Sequence, residues 1–225
     1  MDAHQTSQRS PEAAENAVHS LLQSDLSTAL PLHISLSRSL VLQTPQRDPF
    51  LTTLTSHLRS SAVRPFRVAF TSLKWVPNFE RTRWFLVLEI QKPERDELNR
   101  LLKASNDAAA IHGLPPLYAQ DGFAAGGGPE DGFKEKVSSP TRMRGKLVEQ
   151  RDCSDAFHIS IAWSLEAPEE ELRNPTTQGE VAAILEREVS KMQFLFEVVK
   201  VKIGNAVHSL SLATRNDAKE RGILG

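Results

Sequence analysis

Two stretches of the chain carry the same alternation: "PLHISLSRSL", from Pro31 to Leu40, and "AFHISIAWSL", from Ala156 to Leu165. In an extended strand, successive side chains point to opposite faces. In the first stretch His33, Ser35, Ser37 and Ser39 then share one face, and Leu32, Ile34, Leu36 and Leu40 the other. In the second, His158, Ser160, Ala162 and Ser164 share a face opposed by Phe157, Ile159, Ile161, Trp163 and Leu165. Each stretch reads as a strand, over about 32–42 and 156–165, with an apolar face for a core and a histidine-and-hydroxyl face elsewhere. One His-x-Ser carries no information. Two, in matching contexts more than half the chain apart, point to a duplicated lobe whose copies face each other across a pseudo-twofold axis.

The rest of the chain fits around these strands. Ser10, Pro11 and Glu12 form a helix start, and Ala14, Val18, Leu21, Leu22 and Leu26 follow helical spacing, which predicts a helix near 11–27. A second helix is expected over 48–60, with Phe50, Leu51, Leu54 and Leu58 inward. "FRVAFTSLKWV" and "RTRWFLVLEIQ" read as two strands joined by "PNFE" in a hairpin. Pro93 and Glu94 open a third helix, with Leu98, Leu101 and Leu102 inward, closed by Gly113. From Asp121 to Lys146 glycine, proline, serine and charge replace periodic apolar residues, so 121–150 is expected to be a low-complexity insertion, and 1–9 a disordered tail. A helix near 177–192 and a terminal hairpin turning at Gly204-Asn205 complete the order. The class is α+β with antiparallel pairing, as one domain over 1–225.

Composition narrows the function. With 225 residues, 40% of them hydrophobic, the chain can bury a core. A formal charge of −1 and a pI near 6.7 advertise no broad basic surface for duplex nucleic acid, although a short single strand needs only a local groove. Cys153 is the only cysteine, which excludes an intrachain disulfide and any multi-cysteine zinc site and suits a reducing compartment. No apolar run approaches a bilayer span, and the first residues lack a signal-peptide core.

Two facing histidines suit one chemistry. A neutral imidazole can take a proton from an attacking hydroxyl while a protonated one gives a proton to the leaving oxygen, each worth about 10²–10⁴-fold. Serines two residues on can hydrogen-bond the non-bridging oxygens of a phosphate. The motifs of zinc proteases, Gly-x-Ser-x-Gly hydrolases and phosphate-binding loops are absent. The other histidines read blandly: His4 in the tail, His19 and His57 on helices, His112 near a helix end, His208 on the terminal strand. "TRMRGK" reads as a solvated basic loop.

The residues "LHISLSRSLVLQ", "FTSLKWVPNFERTRWFLVLEI", "FHISIAW" and "VKIGNAVHSLSL" resemble, in that order, the 2H phosphoesterase superfamily, in its branch of U6 small nuclear RNA phosphodiesterases. The resemblance covers roughly 30–118 and 150–212. It implies a two-lobed 2H phosphoesterase fold with the active site in a groove between pseudo-symmetric lobes. It also implies a monomeric nuclear enzyme without metal or other cofactor, which trims oligouridine from the 3′ end of U6 RNA by 2′-hydroxyl attack. A 2′,3′-cyclic phosphate results, opened by some members to a 3′-phosphate. Carried over, His158 is the base and His33 the acid, with Ser35 and Ser160 on the phosphate. Tyr118 in "LYAQD" corresponds to a tyrosine that stacks on a terminal base, and Phe79 is a weaker candidate for contact with uridine. The family carries an N-terminal strand before its first helix, whereas this chain begins at the helix, so one sheet edge is expected to be missing. Two alternatives stay open: a general 2′,3′-cyclic phosphodiesterase or 2′-5′ RNA ligase-like enzyme, and a module that binds RNA or a nucleotide without turning it over.

Overall fold

The computed structural model describes residues 18–78, 80–118, 151–170, 173–175 and 179–214. The tail at 1–9, the first half of the expected N-terminal helix, Phe79 and the 121–150 insertion lie outside the described residues.

The central sheet is antiparallel, in the order β1-β5-β4-β3. Its middle is the hairpin of β3 (Phe70–Pro77) and β4 (Trp84–Ile90), paired from Phe70↔Ile90 to Pro77↔Trp84. Asn78 makes the turn: its Oδ1 accepts the N–H groups of Thr82 and Arg83 at 2.8 and 3.0 Å. A side chain standing in for a backbone acceptor is what favours asparagine in such turns. β5 (His158–Ser164) pairs with β4, and the two-residue β1 (His19–Ser20) covers the outer edge of β5.

Over 18–27, the described part of the helix expected near 11–27, β1 and turns stand in its place. Helical spacing there would have required a buried stripe, but Val18, Leu22 and Leu26 are 59%, 48% and 87% exposed. Instead, Leu21 donates its N–H to Ile161 O at 2.8 Å. The open edge of β5 is a row of unpaired backbone groups, and satisfying it outweighs a helix with nothing to bury. His19 therefore sits on a strand, and this sheet edge is covered.

The helices bury one side of the sheet. α1 (Arg47–Ser60) turns Phe50, Leu54 and Leu58 inward, leaving Leu51 only partly buried. α2 (Glu97–Ile111) presents Leu98, Leu101, Leu102, Ala104 and Ala108 to the same cluster. It starts at Glu97, later than Pro93 suggested, because Pro93 instead supplies the carbonyl of a turn to Asp96 N. Gly113, at φ +68, ends it as expected; a left-handed residue here lets Leu114 N reach back to Ala109 O. His112 ties the two helices, its Nε2 lying 3.0 Å from Thr53 Oγ1. α3 (Gly179–Ile184) runs into a π-helical turn at Leu185–Val189. β2 (Phe66–Val68) pairs with β6 (Phe194–Phe196), and β7 (Val198–Ile203) with β8 (Ala206–Ser211).

The first His-Ile-Ser stretch is not a strand: residues 32–42 carry no ladder, and a bend falls at Leu36–Ser37. The alternation survives without one. Ile34, Leu36, Leu40 and Leu42 pack against the core while His33 and Ser35 stay exposed. Among the described residues, side-chain burial is what holds this segment, so the two His-Ile-Ser copies are not equivalent central strands.

Candidate active site

His158 opens β5 directly across from Glu89 of β4. Its Nδ1 lies 2.8 Å from Ala156 O. A carbonyl oxygen can only accept, so Nδ1 carries the proton, and in the neutral ring Nε2 is left with its lone pair. Burial lowers the pKa of His158 below the ordinary 6.5. The Ala156 hydrogen bond and the Glu89 charge pull it back up, and the Lys74 and His33 charges press it down. The net direction favours a neutral ring at neutral pH. His33, on its exposed segment, is thus near enough for its charge to act on His158.

The acceptor that aims His158 is itself anchored. Ala156 ends a 3-10 turn, Ser154–Ala156. Asn99 of α2 holds the residues around it: its Nδ2 donates to Asp152 Oδ1 at 2.8 Å and to Ser154 Oγ at 3.2 Å, and its Oδ1 accepts Cys153 N–H at 2.9 Å. Lys92 pairs with Asp152 at 2.6 Å and, with the Ser154 and Asn99 hydrogen bonds, holds that carboxyl well below the usual range. Tyr118 donates its hydroxyl to the same Ala156 O at 3.0 Å, and its ring meets Phe157 edge-on at 6.2 Å. Burial, with the Cys153 charge, pushes the Tyr118 phenol up to about 12, so it remains a donor at any working pH.

Ser160 follows two residues after His158 on the same face, opposite Val87. Beyond it the expected alternation fails. Ser160 pairs with Val87 and Ala162 with Leu86, leaving Ile161 as the extra residue of a β-bulge. A one-residue bulge inverts the facing of everything after it. Ala162 and Ser164 therefore turn to the side of Ile159 and are buried, while Trp163 joins the face of His158 and Ser160. There His19 stacks on it at 4.3 Å, and the Arg83 guanidinium sits 4.8 Å from its ring centre. Trp163 was missed because no residue type marks a bulge in advance.

Glu89, Lys74 and Ser72 were missed as well, although a signal existed. Each interrupts a strand of apolar residues, and register puts all three on the face of His158. Lys74 pairs with Glu89, and Ser72 donates its hydroxyl to the other carboxylate oxygen. Burial works to raise the Glu89 carboxyl, but the Lys74 and Ser72 hydrogen bonds outweigh it and hold Glu89 ionised. Among the described residues no group of three His, Cys, Asp or Glu side chains is placed to hold a metal ion.

A family model described as "HVSL: Uncharacterised conserved protein" matches residues 2–211. The chain belongs to the HVSL family. One similar relative is the U6 snRNA phosphodiesterase 1 of Neurospora crassa, 30% identical in an alignment of 214 residues that covers 86% of this chain and 49% of that protein. The chain thus spans about half the length of this relative. Among solved structures, Kluyveromyces marxianus Usb1 with uridine monophosphate matches with a TM-score of 0.58 at 17% identity, covering 89% of this chain and 83% of that one. Usb1 of the same organism without the nucleotide matches with a TM-score of 0.51 at 15% identity over 89% and 84%. The HVSL chain shares their α+β fold, with antiparallel sheets and few helices.

Proposed function

We propose that the chain is an RNA phosphodiesterase that shortens 3′ ends, U6 small nuclear RNA being the substrate and the nucleus its place of work. The observation that carries this reading is the geometry of His158. Its proton is committed to Ala156 O, its Nε2 lone pair is free, and its pKa is lowered, with His33 within electrostatic reach. In that role Nε2 takes the proton from the 2′-hydroxyl as its oxygen bonds to phosphorus. The bond from phosphorus to the departing 5′-oxygen breaks, and His33 protonates that oxygen. The product is a 2′,3′-cyclic phosphate. Water can then open it with the two histidines exchanging roles, leaving a 3′-phosphate. Ser35 and Ser160 hold the non-bridging oxygens. Tyr118 stacks on the terminal base with a ring already pinned by its hydroxyl, so little freedom is lost on binding. The relative named for U6 snRNA phosphodiesterase activity and the fold shared with Usb1 both support the reading.

The test is cleavage of a short RNA ending in several uridines, in excess EDTA, with products weighed by mass spectrometry. Stepwise shortening from the 3′ end with cyclic phosphate or 3′-phosphate termini is expected. His33→Ala and His158→Ala should each remove most of the activity, and the double variant should be scarcely worse than either, since the two groups act as a unit. Near-normal cleavage by either single variant would sink the mechanism. Turnover of cyclic phosphates alone, with intact polymer, would favour the general cyclic phosphodiesterase.

A further inference from the structure

Charge is unevenly placed on this chain. Where β4 runs out, an open groove of about 570 Å³ forms between the segment after α1, strand β2 and the β4–α2 connection. Its lining includes the cations Arg64, Arg67, Lys92, Arg95 and Arg100 against the carboxylates Glu94 and Glu97. That leaves an excess of three positive charges in a chain whose formal net charge is −1. Two of the cations are occupied: Lys92 with Asp152 and Asp96, and Arg100 in donating to Ser61 O at 2.6 Å. Arg64, Arg67 and Arg95 pair with no carboxylate among the described residues. Three unpaired guanidiniums in one groove are an arrangement that a polyanion stabilises.

The groove begins just past the stretch of β4 that pairs with His158. Glu89 stands opposite His158, and two residues later, ~7 Å along the strand, Gln91 donates its N–H to Ala69 O at 2.9 Å. Phe66, Val68, Phe70 and Ile90 all turn into the core, and Lys92 of the lining pairs with Asp152, in the turn that leads to His158. Phe66 and Val68, the large apolar residues of the lining, are only 8% and 1% exposed. The groove therefore offers guanidiniums for phosphates and no aromatic surface for bases.

We propose that this groove holds the sugar–phosphate backbone of the RNA strand upstream of the scissile bond, gripping it through Arg64, Arg67 and Arg95 without regard to sequence. The proposal rests on the phosphodiesterase reading above. An enzyme that removes one nucleotide at a time from a 3′ end has only that nucleotide downstream of the reacting phosphate. Any further phosphates lie upstream, and a cationic groove that begins two residues beyond Glu89, the strand partner of His158, is where they would run.

The test compares a uridine dinucleotide with a ten-nucleotide oligouridine. For binding, both carry a 2′-deoxy sugar at the attacking position, which removes the nucleophile. Each phosphate contact on a single strand contributes about 0.7 to the slope of log affinity against log salt. The Arg64→Ala/Arg67→Ala/Arg95→Ala variant should bind the ten-mer more weakly, with a slope shallower by roughly two. It should still cut the all-ribose dinucleotide, too short to reach the groove, at the wild-type rate. An unchanged ten-mer slope overturns the proposal, as does an equal loss on both lengths. So does loss of binding to an oligoglutamate peptide with RNA binding untouched, which would mark an acidic protein segment as the occupant. Wild-type protein that cuts neither RNA defeats the phosphodiesterase reading itself, and the groove proposal with it. A wild type that is active but binds both lengths equally defeats the groove alone.

Discussion

At the scale of the residue, the proton inventory of His158 depends on charges one strand away. Glu89 raises its pKa and Lys74 lowers it, and the two are paired with each other. Glu89→Gln removes the stabilising charge and leaves the Lys74 ammonium unopposed, so both consequences press His158 further down. In a pH–rate profile, the acid limb of kcat/KM should therefore move to lower pH in this variant. An acid limb that stays in place would separate Glu89 from His158. The same lowered pKa bears on stability. The unfolded chain binds a proton at His158 near pH 6.5 and the folded chain binds it only at lower pH. Between those two values stability falls as pH falls, and below the folded value this contribution is lost in full. Asn99 acts at the same scale through geometry. It is among the most deeply buried side chains, and it satisfies Asp152, Ser154 and the Cys153 N–H at once. Asn99→Ala strands these partners and should cost roughly 1–3 kcal/mol in urea unfolding, with a matching loss of order at the Ala156 carbonyl.

At the scale of the element, local chemistry was legible where it governed the outcome. The β3–β4 hairpin was readable because its apolar runs flank an Asn78 that makes the turn, and α1 and α2 because their leucines recur on one side. The terminal hairpin was readable at Gly204, whose φ of +58 lies where an L side chain is strained. A Cβ there would meet only the Arg47 guanidinium, at an ordinary 3.6 Å. Gly204→Ala should therefore lower stability by the backbone term alone, about 1 kcal/mol, with the β7–β8 pairing intact by amide exchange. Other elements were illegible for a shared reason: the deciding partner was distant. Residues 18–27 have helical spacing, but the bare edge of β5 captured them. Residues 32–42 alternate, but nothing among the described residues ladders with them. Trp163 changed faces because β4 opposes three residues of β5, Ser160 to Ala162, with only two of its own.

At the scale of the whole molecule, the charge of His33 acts on His158 although one lies on an unladdered segment and the other on a central strand. Sequence reading singled out the pair from their repeated context, but supplied too much symmetry around them: only the second copy is a strand. What it could not supply was the network that fixes His158, because Asn99, Tyr118 and Ala156 meet from three separate stretches of chain. Tyr118 and Arg151 bracket the low-complexity stretch, and both flanks are fastened: Tyr118 to Ala156 O, and the residues after Arg151 to α2 through Asn99. Closing entropy changes by only about 0.6 kcal/mol for each doubling of loop length. Replacing 121–150 with a Gly-Ser linker half as long should therefore leave the melting temperature and dinucleotide turnover near wild type. The two fastened flanks thus form a natural splice point. On this expectation, sequence between them could be lengthened, shortened or exchanged while Ala156 O keeps its hold on His158.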